Sequence, residues 1–146
     1  MKIAFGCDPN AAALKLELIE FVRNLGHEVC DFGSDDTIYA NVAFEVAEAV
    51  AAKKYDRGIL ICGTGIGVSI AANKVKGIRA ASVSEAYSAR LTRMHNNSDI
   101  ICFGARVIGI ETAKMIADAF IEAEFEGDRH ERRVNLINAL EEEFGK

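Results

Sequence analysis

A chain of 146 residues, 50% apolar and 27% charged, has the length and composition of one globular domain with a substantial core. Its net charge of −5 argues against general nucleic-acid binding, and no apolar run approaches the roughly 20 residues that span a bilayer. The N-terminal MKIAFGCD turns polar too soon for a secretory leader, which makes the cytoplasm the default compartment.

Residues 2–7 read as a first strand, followed by Asp8-Pro9-Asn10. Over 11–25, Leu14, Leu18, Phe21, Val22 and Leu25 recur at helical spacing, and Gly26 stands where a C′ glycine belongs. HEVCDF at 27–32 is a second strand, 33–40 a polar loop and 42–53 a second helix rich in Ala and Val. The third strand is the apolar run ending at Cys62, which passes into Gly63-Thr64-Gly65-Ile66-Gly67 and a small-residue helical segment. Gly77 introduces a fourth strand at 78–83; Ser84 caps a helix over 85–94, and His95-Asn96-Asn97-Ser98 is its exit loop. A fifth strand covers 99–103, with Gly104-Ala105-Arg106 as its exit. An amphipathic helix at 111–123 and a highly charged one at 131–144 complete the chain.

Strands alternating with helices through short connections specify an α/β fold with a parallel sheet and right-handed crossovers. The expected architecture is a single doubly wound domain over 1–146, with five strands in the order 2-1-3-4-5, helices on both faces and a C-terminal helix. In that order the chain winds in opposite directions from strands one and three, so a ligand should bind beyond their carboxyl ends. The loops meeting there begin with Asp8 and Cys62.

Cys62 is the first candidate. A thiol at a strand end, facing a glycine turn and a helix N-terminus, is placed to become a thiolate base or nucleophile. The backbone donors of Gly63-Thr64-Gly65-Ile66-Gly67 would cradle an anion. The pattern is neither a Walker loop nor a dinucleotide fingerprint, because the Gly-Lys-Ser/Thr ending is absent and the glycine spacing is wrong. The plainer alternative is a tight turn beside a core thiol. The other cysteines, Cys7, Cys30 and Cys102, show no CxxC or Cys/His spacing of a metal site or redox pair. Cys30 and Cys102 read as packing residues, whereas Cys7, like Cys62, closes an apolar run before a loop.

Asp8 suits two compatible roles, an N-cap ahead of Pro9 and a hydrogen-bond acceptor for a polyol. His27, opening a strand, reads as structural. His95 and Asn96 form a movable polar pair, and histidine has the pKa for acid–base work near neutrality. In Gly127-Asp128-Arg129-His130-Glu131-Arg132-Arg133, Arg129 and Arg133 share one helix face and can grip a phosphate, although a solvated basic turn has the same composition. A cationic cluster at a helix N-terminus opposes the macrodipole, which points to an anionic partner.

These stretches resemble a known family. ILICGTGIGVSIAANK, GIRAA, YSARLTRMHNNS, GARVIG and EGDRHERRV, with the opening KIAFGCD, closely resemble ribose-5-phosphate isomerase type B, whose family includes galactose-6-phosphate and allose-6-phosphate isomerases. The resemblance implies a Rossmann-like three-layer sandwich that works as a dimer or tetramer without metal or cofactor. It also implies that each active site is built from two subunits. Carried over by position, Cys62 matches the base that moves a proton between C1 and C2. Gly63, Gly65 and Gly67 match the backbone hole for the enediolate, with Thr64 nearby. His95 matches the residue assisting ring opening; Asp8, Tyr39 and Asn96 line the sugar. Arg106, Arg129, His130 and Arg133 match the phosphate grip.

The chain departs from the family pattern where Asp-His usually follows the first strand. It has Asp8-Pro9-Asn10, losing a ring nitrogen and a backbone N–H. The Tyr-Pro of the second loop is Tyr39-Ala40. The expected activity is isomerisation of a small phosphorylated sugar, with ribose 5-phosphate leading and a hexose 6-phosphate or tetrose 4-phosphate as alternatives. A nucleotide- or flavin-binding module would need an acidic residue after the second strand, for which Asp31 is the candidate, and an aromatic sandwich, for which no Trp is present. A non-catalytic subunit is the third class, and retention of both Cys62 and His95 argues against it.

Overall fold

A computed structural model describes residues 1–145. The apolar runs become strands β1 (Lys2–Cys7), β2 (Glu28–Asp31), β3 (Arg57–Cys62), β4 (Ala80–Ser82) and β5 (Ile100–Gly104). The helices are α1 (Ala12–Asn24), α2 (Tyr39–Ala51), α3 (Ile66–Ala72), α4 (Ala86–Asn96), α5 (Ile110–Glu122) and α6 (Arg129–Glu143). All four strand pairs are parallel.

Alternation within the strands divides the core into two layers. Ile3, Phe5, Ile59, Ile61, Ile101 and Phe103 face α1, α4 and α5. Ala4, Leu60, Cys62, Ile100 and Cys102 face α2 and α3. Every residue of β3 and β5 is buried, as parallel strands covered on both faces require.

The order is β2-β1-β3-β5-β4, which corrects the expected 2-1-3-4-5. β5 reads IICFG and is buried throughout, so it belongs inside the sheet. β4 is three residues, AAS, two half-buried and one exposed, and Arg79 immediately precedes it. A short strand of that kind suits an edge. The switch between β1 and β3 is unaffected, because both β2 and the β5–β4 pair lie outside it.

Several boundaries move for local reasons. Glu85, not Ser84, caps α4, its carboxylate accepting the Ser88 N–H at 2.9 Å. α2 starts at Tyr39, three residues early, because the Asp36 carboxylate accepts from the Ile38 N–H and the Asn41 side chain at 2.8 Å each. His95 and Asn96 belong to the last turn of α4 rather than to a loop, and Asn97 ends the helix with φ of +49°. α6 begins at Arg129, so Arg129 and His130 are helical.

Candidate active site

Three connections converge at the carboxyl edge of β1, β3 and β5. Cys62, the last residue of β3, is 5% exposed, and its Sγ accepts a hydrogen bond from the Gly65 N–H at 3.1 Å. The turn can fold back on the thiol because Gly65 takes φ of +81° and lies against β5, where a Cβ would sit 2.5 Å from Phe103 Cα. No side chain fits that position. Thr64 Oγ1 accepts from the Ile66 N–H at 3.2 Å and so braces the entry to α3. Gly67, on the first turn of α3, lies beneath the Tyr39 ring, which a Cβ would meet at 2.5 Å.

The exit of β5 closes the other side. The Ala105 N–H donates to the Cys62 carbonyl at 2.8 Å and the Arg106 N–H to that of Gly63 at 3.1 Å. The Arg106 side chain crosses Gly63, and its Nη2 donates to Asn10 Oδ1 at 3.4 Å. At the end of β1 the Asp8 N–H donates to the Ile61 carbonyl at 3.2 Å, while its carboxylate accepts the Asn10 N–H at 3.0 Å. The N-cap reading of Asp8 therefore holds, with Pro9 in the first turn it caps. Asp8, Tyr39, Cys62, Gly63, Thr64, Gly65, Gly67 and Arg106 thus share one end of the sheet.

Cys7 sits nearby but is chemically different. Burial pushes its thiol up to about 11, with only partial relief from Lys15, which is buried and pairs with Asp31 at 2.6 Å. Cys7 is a protonated packing thiol at neutral pH. Burial also pushes Cys102 up, as expected for a packing residue, while Cys30 is half-buried.

The remaining candidates lie at the opposite edge. α4 runs back along the sheet after β4, so its last turn, with His95 and Asn96, reaches the amino ends of the strands. Arg57, the first residue of β3, fixes the position of the neighbouring segment by donating to the Phe120 and Ile121 carbonyls at 2.5 Å and pairing with Glu124 at 3.4 Å. The Glu126 N–H donates to the Met94 carbonyl at 3.0 Å, tying this segment to the end of α4. Arg129, His130 and Arg133 follow on the first turns of α6. Arg129, Arg132 and Arg133 line a cleft of about 410 Å³ with Leu136. The six residues of β3 separate the two groups by roughly 20 Å. Cys62 and His95 of one chain therefore cannot act on the same small sugar.

His95 and His130 stack with ring centroids 4.0 Å apart and planes 6° from parallel. Glu126 Oε2 lies 3.3 Å from His130 Nε2 and 3.8 Å from His95 Nε2, and Arg129 Nε lies 3.4 Å from His130 Nε2. Burial, then His95 and Arg129, hold His130 below the ordinary histidine range. Three potential metal-ligand atoms thus lie within 4.8 Å of one another. The parallel rings and the guanidinium at His130 Nε2 favour a hydrogen-bonded cluster over a cation site. Glu126 opens the EGDRHERRV stretch but received no role there, since by itself it reads as any carboxylate in a charged turn. Arg132 and Asn10 are likewise visible only through their neighbours. A cleft of about 590 Å³ along α2, lined by Phe32, Glu48 and Val75, contains none of the candidate residues.

A thiol held by the backbone of a glycine turn, at the switch point of a parallel sheet, is a site for moving a proton while an anion develops. The chain belongs to the Ribose/Galactose Isomerase family, whose profile matches residues 3–137. It is 52% identical over 144 residues to ribose-5-phosphate isomerase B of Escherichia coli K12, with 97% of each chain covered. It is 45% identical over 145 residues to D-erythrulose-4-phosphate isomerase of Pectobacterium atrosepticum, covering 97% of this chain and 95% of that one. The structure of Clostridium thermocellum ribose-5-phosphate isomerase B superposes with a TM-score of 0.95 at 45% identity, covering 99% of this chain and 100% of that one. The chain is a sugar-phosphate aldose–ketose isomerase.

Proposed function

We propose that the chain interconverts ribose 5-phosphate and ribulose 5-phosphate in the cytoplasm, in active sites shared between two copies of itself. The observation that carries the chemistry is Cys62 Sγ held by the Gly65 N–H at the mouth of the glycine turn. In the open-chain aldose Cys62 takes the proton from C2 and returns it at C1. The negative charge that develops on the two oxygens meets those backbone N–H groups of the glycine turn that Cys62 Sγ and Thr64 Oγ1 do not already hold. Fixed donors of this kind each contribute on the order of 3 kcal/mol to an oxyanion transition state. Asp8 and Tyr39 hold sugar hydroxyls. Arg106 from the same chain, with Arg129 and Arg133 from the second copy, holds the phosphate, whose binding energy then serves orientation. His95 and Asn96 arrive with the second copy, where His95 opens the sugar ring.

The separation of the two residue groups supports the shared site, and so do apolar faces with no partner in one chain. On α6, Leu136, Ile137 and Leu140 are exposed, as is Phe144 just after it; on α3, beside the cradle, Ile66 and Ile70 are exposed. A homodimer that pairs these faces would deliver the α6 arginines to the cradle of the other copy.

Proton exchange tests the chemistry. In D₂O the chain with ribose 5-phosphate should place deuterium at C2 of the aldose pool by NMR, and Cys62→Ala should abolish that signal while keeping the melting curve. Undiminished exchange in Cys62→Ala would move the base elsewhere. Pro9 favours a second reading, in which the substrate is a tetrose 4-phosphate: it removes the usual histidine, and beside it Asn10 Oδ1 accepts from Arg106, whose side chain crosses Gly63. The Pectobacterium relative supports it. A panel of four-, five- and six-carbon phosphates, ranked by kcat/KM, decides between them.

A further inference from the structure

Whatever opens a sugar ring must give a proton to the ring oxygen and take one from the anomeric hydroxyl, so it must be held in one orientation in the right tautomer. This inference rests on the reading of His95 as that group. His95 stands on the last turn of α4 with about a third of its side chain exposed, and three elements meet around it. We infer that Glu126 is a positioning residue for His95, its carboxylate fixing the imidazole directly and through His130.

Several independent observations support this role. Glu126 is held beside His95 by its own backbone, since its N–H bonds the carbonyl of Met94, the residue before the histidine. Its carboxylate faces the Nε2 atoms of both rings. The 3.8 Å to His95 lies outside hydrogen-bonding range but inside ion-pair range, so Glu126 acts most strongly once His95 is protonated. His130 forms a buried back wall, 5% exposed and parallel to the His95 ring. Its Nε2 either donates to Glu126 or accepts from Arg129, so in both forms that nitrogen is engaged within the cluster. Two stacked imidazoles cannot both be charged without repulsion. Burial, then His95 and Arg129, favour a neutral His130. Arg129 and Arg133 flank the cluster from α6, and Glu126 supplies the compensating negative charge.

The turn that brings His130 there is strained. Asp128 takes φ of +49° with ψ of −122°, a region costly for any residue with a Cβ, directly after Gly127 at +71°. The strain is retained where it places His130 against His95 and Glu126.

Comparing a cyclic with an acyclic substrate separates positioning of His95 from a general structural role. Ribose 5-phosphate is mostly cyclic and must be opened. Ribulose 5-phosphate has no free hydroxyl placed to close a five-membered ring, so deuterium exchange at its C1 needs only the Cys62 step. Glu126→Gln should lower kcat from the aldose about ten-fold with little change in KM, while C1 exchange into the ketose stays within about two-fold. Glu126→Ala should show the same split. Should the alanine variant melt early, the amide, which keeps the shape of the side chain, still decides. Equal losses on both substrates, or no loss on either, would overturn the inference. His95→Ala is the control for the reading beneath it. If His95→Ala shows the split and Glu126→Gln does not, only the positioning role fails; if His95→Ala shows no split, the ring-opening assignment itself fails.

Discussion

Gly65 is the residue on which the cradle depends. Its φ of +81° and the Phe103 backbone against its Cα leave no room for a side chain. Gly65→Ala should therefore lower stability by about 2 kcal/mol or more, read as a lower urea midpoint at unchanged slope. A stability equal to the parent's would mean that the turn is looser than described. Gly67 differs, because a Cβ there meets a ring that can swing aside. His130 makes a second prediction at this scale. Its folded pKa is depressed, so the neutral form is the folded form and unfolding takes up a proton. The stability it confers is full above the unfolded value of about 6.5 and is lost as pH falls below it. Denaturation at pH 7.5 and 5.5 should show a smaller drop for His130→Phe than for the parent; His27, also depressed, contributes to the drop in the same direction. The cradle was legible in the sequence because its parts are contiguous, from Cys62 through Gly67. The cluster of His95, Glu126 and His130 was not, because its members come from α4, the turn before α6 and α6 itself, and no local pattern records that they touch.

Among the elements, α1, β2 and the turn after β2 are joined by one ion pair with a buried lysine. Lys15 on α1 is 1% exposed and its ammonium meets Asp31 at 2.6 Å. The same carboxylate oxygen accepts the Gly33 N–H at 2.9 Å, and the Gly33 carbonyl accepts the Cys7 N–H at 3.3 Å. The pair thus anchors the start of the loop that leads to Tyr39. The two partners are unequal, since Asp31 is 31% exposed and can be hydrated if left alone. Asp31→Ala strands a buried ammonium and should cost about 3 kcal/mol, whereas Lys15→Met fills the same space with apolar atoms and should cost less. Chemical denaturation of both variants checks the order; the reverse order would show that the pair is not what anchors the loop. Elements were read more securely than their arrangement. β1 matches its expected span residue for residue, because an apolar run bounded by Asp8-Pro9 has one interpretation. The exchange of β4 and β5 was hidden, since chain order says nothing about which strand inserts. The signal was in the composition: IICFG demands two covered faces, while AAS after an arginine does not.

For the whole molecule, the two ends of the sheet pose the main question. Cys62, the glycine turn, Asp8 and Tyr39 lie at the carboxyl edge, and His95, Asn96 and the α6 arginines lie at the amino edge. Each end is half of the expected site. Resemblance supplied the membership of both halves, but only the direction of α4 shows that one chain cannot join them. Two copies arranged with closed two-fold symmetry would form two identical sites, each drawing Cys62 from one copy and His95 from the other.

Mixing two inactive variants tests that arrangement most directly. Cys62→Ala keeps a working His95 half, and His95→Ala keeps a working cradle. Co-expressed, they should form mixed dimers in which one of the two sites is whole, restoring roughly a quarter of the parent's turnover of ribose 5-phosphate if pairing is random. Each variant alone should stay inactive. Activity no higher than that of either variant alone, with mixed dimers shown to be present, would contradict a site shared between two copies.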